Sequence, residues 1–121
     1  MAENYHADAI YSPGTVLHFG GGAEVSQCDV DHCTRIAGVV STNPAYLMNN
    51  SISGKHVVSV ALLGRVPCFV QGTVVKGDMM VSAGNGRARA ESNPKLGAVI
   101  GKALEDFNGG EGVIEVVVGR I

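Results

Sequence analysis

The chain has 121 residues, the size of one core, with 11 acidic against 9 basic side chains and a net charge of −2. Scattered Lys and Arg, no Trp, three Tyr and three Phe leave neither an electrostatic footprint nor a stacking platform for nucleic acid. No stretch approaches the roughly 20 apolar residues of a spanning helix, and the polar start M-A-E-N-Y-H-A-D predicts no signal peptide and no membrane insertion.

Turn chemistry and apolar alternation organise the chain. Ser12-Pro13-Gly14 turns into a predicted strand at Thr15–Phe19, which Gly20-Gly21-Gly22 breaks. Ala23–Gln27 alternates again, Asp29–Thr34 is a polar connection, and Arg35–Val40 is the next strand. Asn43-Pro44 ends it, because the residue before proline is pushed out of the helical region. Ala45–Asn50 is assigned one turn of helix, followed by the loop Ser51–Gly54.

His56–Leu63 is the longest strand candidate, and Val66–Val70 continues past Pro67. A proline there implies a sheet edge or a bulge. Thr73–Val75, Met79–Ala83 and Arg87–Ala90 follow, punctuated by Gly77-Asp78 and by Asn85-Gly86, a strong hairpin signal. Ala98–Ala103 and Val113–Val118 complete the set, separated by Asp106–Gly110. With 17 glycines and no helical run of ten residues, the pattern predicts one all-β domain over residues 1–121, a compact sandwich or barrel-like unit.

Three cysteines, Cys28, Cys33 and Cys68, cannot pair completely within one chain, so reduced thiols and synthesis in a reducing cytoplasm are expected. The segment Cys28-Asp29-Val30-Asp31-His32-Cys33 puts two thiols and an imidazole within six residues. Zinc sites need four ligands, and His56 and Cys68 are isolated, so the segment is read as a polar surface loop with no metal. Cys68 lies in the apolar run V-P-C-F-V and reads as a buried, inert thiol instead of a partner for His6, His18, His32 or His56.

Other candidates yield to local structure. Ser41-Thr42 is a strand-to-turn junction whose hydroxyls cap the backbone. Gly20-Gly21-Gly22 lacks the Lys-Ser/Thr and helix of a phosphate loop and reads as a flexible hairpin. The stretch from Gly72 resembles the hairpins of lipoyl and biotinyl carrier domains, but Lys76 lacks the setting of the modified lysine, and Gly77-Asp78 is assigned to the turn. Glu3, His6 and Asp8 alone carry no functional weight as terminal residues. No cofactor is expected.

Five segments in order carry a resemblance. A-E-N-Y-H-A-D-A-I-Y-S-P-G-T-V-L, R-I-A-G-V-V-S-T-N-P-A-Y-L-M-N, V-A-L-L-G-R-V-P-C, K-G-D-M-M-V-S and V-I-G-K-A-L-E-D together resemble the C-terminal domain of bacteriophage tail-fibre and neck-appendage proteins. That domain is an autoproteolytic intramolecular chaperone placed after a fibrous shaft. The resemblance runs from Ala2 to Val118 and implies a homotrimer in the virion, made in the host cytoplasm, that promotes trimerisation and folding of an upstream shaft.

Self-cleavage in that family uses an acidic pair in a D-x-A-E segment. Ala2-Glu3 matches its A-E half, so the resemblance makes Glu3 the catalytic glutamate, with Met1 between it and an upstream Asp. Glu3 is then a vestigial or post-cleavage residue, and no turnover enzyme is implied beyond a single autoproteolytic event. The alternatives are an active self-cleaving peptidase and a tip that binds a host-surface receptor or carbohydrate. Apolar density nominates Val57–Leu63 and Val113–Val118 for the threefold contact.

Overall fold

The computed structural model describes residues 1–42 and 56–119 and contains, among them, strands and turns with no helix. The helical turn expected at Ala45–Asn50 and the Asn43-Pro44 stop lie outside the described residues. Ten strands form among the described residues: β1 (Ala2–Ala7), β2 (Val16–His18), β3 (Ser26–Gln27), β4 (Ile36–Val40), β5 (His56–Ala61), β6 (Gly64–Val74), β7 (Met79–Gly84), β8 (Arg87–Ala90), β9 (Gly101–Ala103) and β10 (Phe107–Val118). They build a five-stranded sheet in the order β1-β5-β4-β2-β3 and a closed barrel in the order β10-β6-β8-β7-β9. The fold is all-β, as the turn spacing predicts.

Alternation explains the barrel wall. Val66, Cys68 and Val70 of β6 and Ile114, Val116 and Val118 of β10 are buried, while the residues between them are partly or largely exposed. The two strands pair antiparallel from Phe107↔Val74 to Val118↔Gly64. Each such valine or isoleucine contributes about 1.5–3 kcal/mol by leaving water. Closure removes the exposed sheet edges that an open five-stranded sheet would keep.

Pro67 sits where the ladder tolerates it. The Phe69 amide, two residues on and therefore on the same side of β6, donates to the Gly14 carbonyl at 3.0 Å and not to β10. The side of β6 facing away from β10 is thus covered at this point by the Ser12–Gly14 turn, and a missing N–H leaves no gap in the β6–β10 ladder. Neither the sheet edge nor the bulge expected at Pro67 is found: β6 lies between β10 and β8 in the closed barrel, and the proline is tolerated because its nitrogen faces the turn and not the β10 ladder.

Other elements differ from the sequence reading. Ala2–Glu3–Asn4–Tyr5–His6–Ala7 is a full strand, paired antiparallel with β5 from Ala2↔Ala61 to Ala7↔His56. Gly109-Gly110, read as part of a loop, is a bulge inside β10 where the register shifts between Asn108 and Glu111. Both glycines have positive φ, +106° and +75°, which supplies the extra residue of the bulge without side-chain strain. Turns at Val75–Asp78 and Asn85-Gly86 behave differently. The second closes the β7–β8 hairpin with φ +54° and +71°, as a two-residue loop of this hand requires, whereas the first joins strands separated in the barrel by β8.

One core joins the two sheets. Val16, Cys28, Cys33, Val39 and Ala61 pack with Val66, Val70, Met80, Ile100 and Val116 in a single buried cluster, and a second cluster of Ala7, Leu17, Val25, Val40, Val58 and Val60 lies within the open sheet. The apolar stretches nominated for a threefold contact mostly supply this core. Val58, Val60, Ile114, Val116 and Val118 are buried, leaving Leu63 and Val113 exposed.

Candidate functional site: a cysteine–histidine cluster

The residues with chemistry converge where the connection from β3 to β4 crosses onto the barrel. Antiparallel pairing of β2 with β3 sets His18 opposite Ser26. The Ser26 hydroxyl donates to the Gly20 carbonyl at 2.8 Å, so its 3.0 Å contact with His18 requires Nε2 to be the donor. In the neutral ring Nδ1 then keeps its lone pair, and Cys33 Sγ lies 3.9 Å from it. Cys28 Sγ completes a triangle whose three donor atoms all lie within 4.8 Å of one another.

Both sulfurs are enclosed, Cys28 fully and Cys33 nearly so, while His18 is half-buried. The Cys28 thiol donates to the Val30 carbonyl at 3.4 Å, and the Arg35 amide donates to Cys33 Sγ at the same distance. Burial pushes the Cys28 thiol up from its ordinary value. The triglycine turn serves this packing. A Cβ on Gly20 would come within 3.1 Å of the imidazole, and one on Gly21, where φ is +87°, within 3.0 Å of Ser26 Oγ. Close approach therefore accounts for Gly20 and, with its positive φ, for Gly21, whereas Gly22 has open space around it.

Ser82 of β7 fixes the connection from the barrel side. Its hydroxyl is fully buried, donates to the Val30 carbonyl at 2.8 Å and accepts from the Cys33 amide at 2.8 Å. The His32 amide donates to the Ser82 carbonyl at 2.8 Å, and Asp31 bridges to Ala83. Farther out, Asp31 holds Arg89 through two hydrogen bonds, at 2.7 and 3.1 Å, and Arg89 also reaches Glu91 at 2.8 Å. The segment is a surface loop only in part: Asp29, Val30 and Asp31 are exposed, and the two cysteines are core residues.

His32, the imidazole adjacent in sequence, does not join the cluster. Its backbone has a φ of +53°, and its ring lies against other partners, where Nε2 accepts from the Lys95 amide at 3.1 Å and Nδ1 lies 4.0 Å from Glu91. His18 takes the place that sequence proximity suggested for His32. The usable signal is the hairpin register: folding β2 onto β3 across the triglycine turn puts His18 beside Ser26, two residues from Cys28.

The other candidates stay apart. Cys68 is fully buried among apolar side chains, and that burial pushes its thiol up to about 12. Glu3 is exposed on β1 opposite Val60. After burial, its charge is the next contribution raising the Tyr5 phenol, followed by that of Glu24. The His6 amide donates to Glu24, and Asp8 accepts from the Tyr11 hydroxyl, so these two serve the β1 connection. The Ser41 amide donates to the Ser59 carbonyl, in keeping with a strand junction. Lys76 is exposed on a turn fixed by its own amide to Asp106 and by Asp78 to the Val75 amide.

The open sheet, the barrel and the loop that joins them form one arrangement with a counterpart among solved structures. It aligns with the head fibre gp8.5 N base of bacteriophage phi29 at a TM-score of 0.60 and 15% identity, covering 98% of this chain and 92% of that one. The two chains share a fold. No family model matches the chain, and no curated protein does.

Proposed function

We propose that this chain is a structural module of a bacteriophage virion fibre, the base in which three copies associate and set the register of the fibrous part. The observation that carries the reading is the superposition of almost its full length on a phage head-fibre base. The five ordered segments that resemble phage fibre and appendage domains point to the same class of particle. Fibres fold slowly, because distant strands must meet before any contact is rewarded, and unpaired edges invite aggregation. A compact trimeric base holds three chains at high effective concentration and removes that delay.

Leu63 and Val113 are the exposed members of the two apolar stretches, and we assign them to the contact between copies. Mass measurement of the isolated chain in solution tests the reading, with a trimer as the expected result. Leu63→Asp combined with Val113→Asp should yield a folded monomer. A wild-type chain that stays monomeric at all concentrations, with these strands intact, removes the assembly role.

A further inference from the structure

We propose that His18, Cys28 and Cys33 form a zinc site that locks the β3–β4 connection against the end of β2. A tetrahedral zinc with Zn–S bonds of about 2.3 Å holds two sulfurs about 3.8 Å apart. Here the three donor atoms lie within 4.8 Å of one another, and His18 Nδ1 is 3.9 Å from Cys33 Sγ. The triangle needs to close by about 1 Å or less, within the reach of side-chain rotation.

The imidazole is already in the required tautomer. Ser26 is committed to Gly20 as a donor, so Nε2 carries the ring proton and Nδ1 offers its lone pair toward the sulfurs. A hydrogen bond on the far nitrogen is the usual way a protein orients a metal-bound histidine. The Arg35 amide aimed at Cys33 Sγ supplies the stabilisation a thiolate needs in a dry site.

Charge favours the assignment as well. Binding replaces two S–H bonds by two S–Zn bonds and releases two protons to solvent, while the imidazole gives a lone pair and no proton. Two thiolates then cancel the charge of Zn²⁺, and a neutral cluster can be buried where a lone ion could not. Three protein donors leave the fourth position of a tetrahedral zinc to a water molecule. Thiolate and imidazole donors select against magnesium and calcium, which require oxygen. The remaining thiol, Cys68, is a built-in control, since it is fully buried and lies outside the cluster.

The test titrates cobalt(II), then zinc, into the reduced, metal-free full chain. One equivalent of cobalt should give a thiolate-to-cobalt charge-transfer band with the d–d bands of a four-coordinate ion, and zinc should abolish both. Zinc at about one hundred times its Kd should raise Tm by about 10 °C. Cys68→Ser should keep the spectrum, His18→Gln should weaken binding at least tenfold, and the Cys28→Ser/Cys33→Ser variant should lose the band. Should the double variant fail to fold, cadmium-113 NMR of the wild type decides: a shift characteristic of two sulfur ligands supports the site, and an oxygen-only shift overturns it. Absence of the charge-transfer band in the folded, reduced wild type also overturns it, as does a Cys28–Cys33 disulfide that forms whether or not zinc is supplied.

Discussion

Asp31 and Arg89 are joined by two parallel hydrogen bonds, Nε to Oδ1 at 2.7 Å and Nη2 to Oδ2 at 3.1 Å, across 58 positions of sequence. The pair ties the β3–β4 connection to β8, and Arg89 is itself braced by Glu91 and the Ala90 carbonyl. Exposed ion pairs contribute little on average, but two-point geometry on an arginine already held in place lies at the favourable end. The Asp31 side chain is 60% exposed, so solvent screening discounts the interaction to about 0.5–1 kcal/mol. A double-mutant cycle on Asp31→Asn and Arg89→Ala, read by urea denaturation, should return a coupling of that size. Arg89→Lys should recover less than half of it, because an ammonium cannot span both oxygens. A coupling indistinguishable from zero would mean that the loop is held by its hydrogen bonds to Ser82, its bridge to Ala83 and the Lys95 contact of His32, without help from this pair.

The same pair makes a pH prediction. Hydrogen bonding by Arg89 is the main reason the Asp31 carboxyl sits below its ordinary value of 3.8; burial opposes the shift and the Arg89 charge adds to it. As pH falls, the unfolded chain therefore takes up this proton before the folded chain does. The stabilisation is complete above the unfolded value and is lost as pH falls through the lower folded value. The gap in unfolding free energy between wild type and Asp31→Asn should be constant from about pH 5 to 7 and close below about pH 4. Raising the salt concentration should narrow it across the whole range. A gap that widens in acid contradicts the assignment.

What the sequence made legible follows from the range of the interactions involved. Asn85-Gly86 is readable because both residues accept positive φ and the flanking strands alternate; everything needed is local. β6 and β10 are readable for the same reason only over Val66–Val70 and Val113–Val118; Thr73 and Val74, read as part of a separate strand, end β6, and Gly109-Gly110 marks a bulge and not a loop. β1 is not readable. A-E-N-Y-H-A has no apolar alternation and only Ala7 is buried, so its extended form comes from pairing with β5, far away in sequence. The Cys–His cluster shows the same limit. Cys28 and Cys33 are close in sequence, but the histidine that joins them arrives through a cross-strand register, while the adjacent His32 is diverted by a backbone turn. Barrel closure depends on where β9 meets both β7 and β10, a contact no local pattern encodes.

That closure gives the last prediction. Gly101 of β9 pairs with Val118 of β10 and, on the other side, with Met80 of β7. Its φ is not positive, so an alanine would suit the backbone conformation; the obstacle is space. A Cβ there would lie 2.1 Å from the Val117 carbonyl oxygen and 3.1 Å from Val116 Cγ1, and the first of these is backbone that cannot turn aside. Gly101→Ala must push β9 away from β10 at the seam, at a cost of about 3 kcal/mol, near the upper end for overpacking. Gly77→Ala provides the contrast. Its φ is +94° with nothing within 4 Å of a Cβ, so only backbone strain remains, about 1 kcal/mol. Thermal denaturation of the two variants should separate them clearly, and hydrogen exchange should show loss of protection confined at first to β9 and its two neighbours. Equal destabilisation would place the controlling term in glycine conformational freedom and not in the tight seam of the barrel.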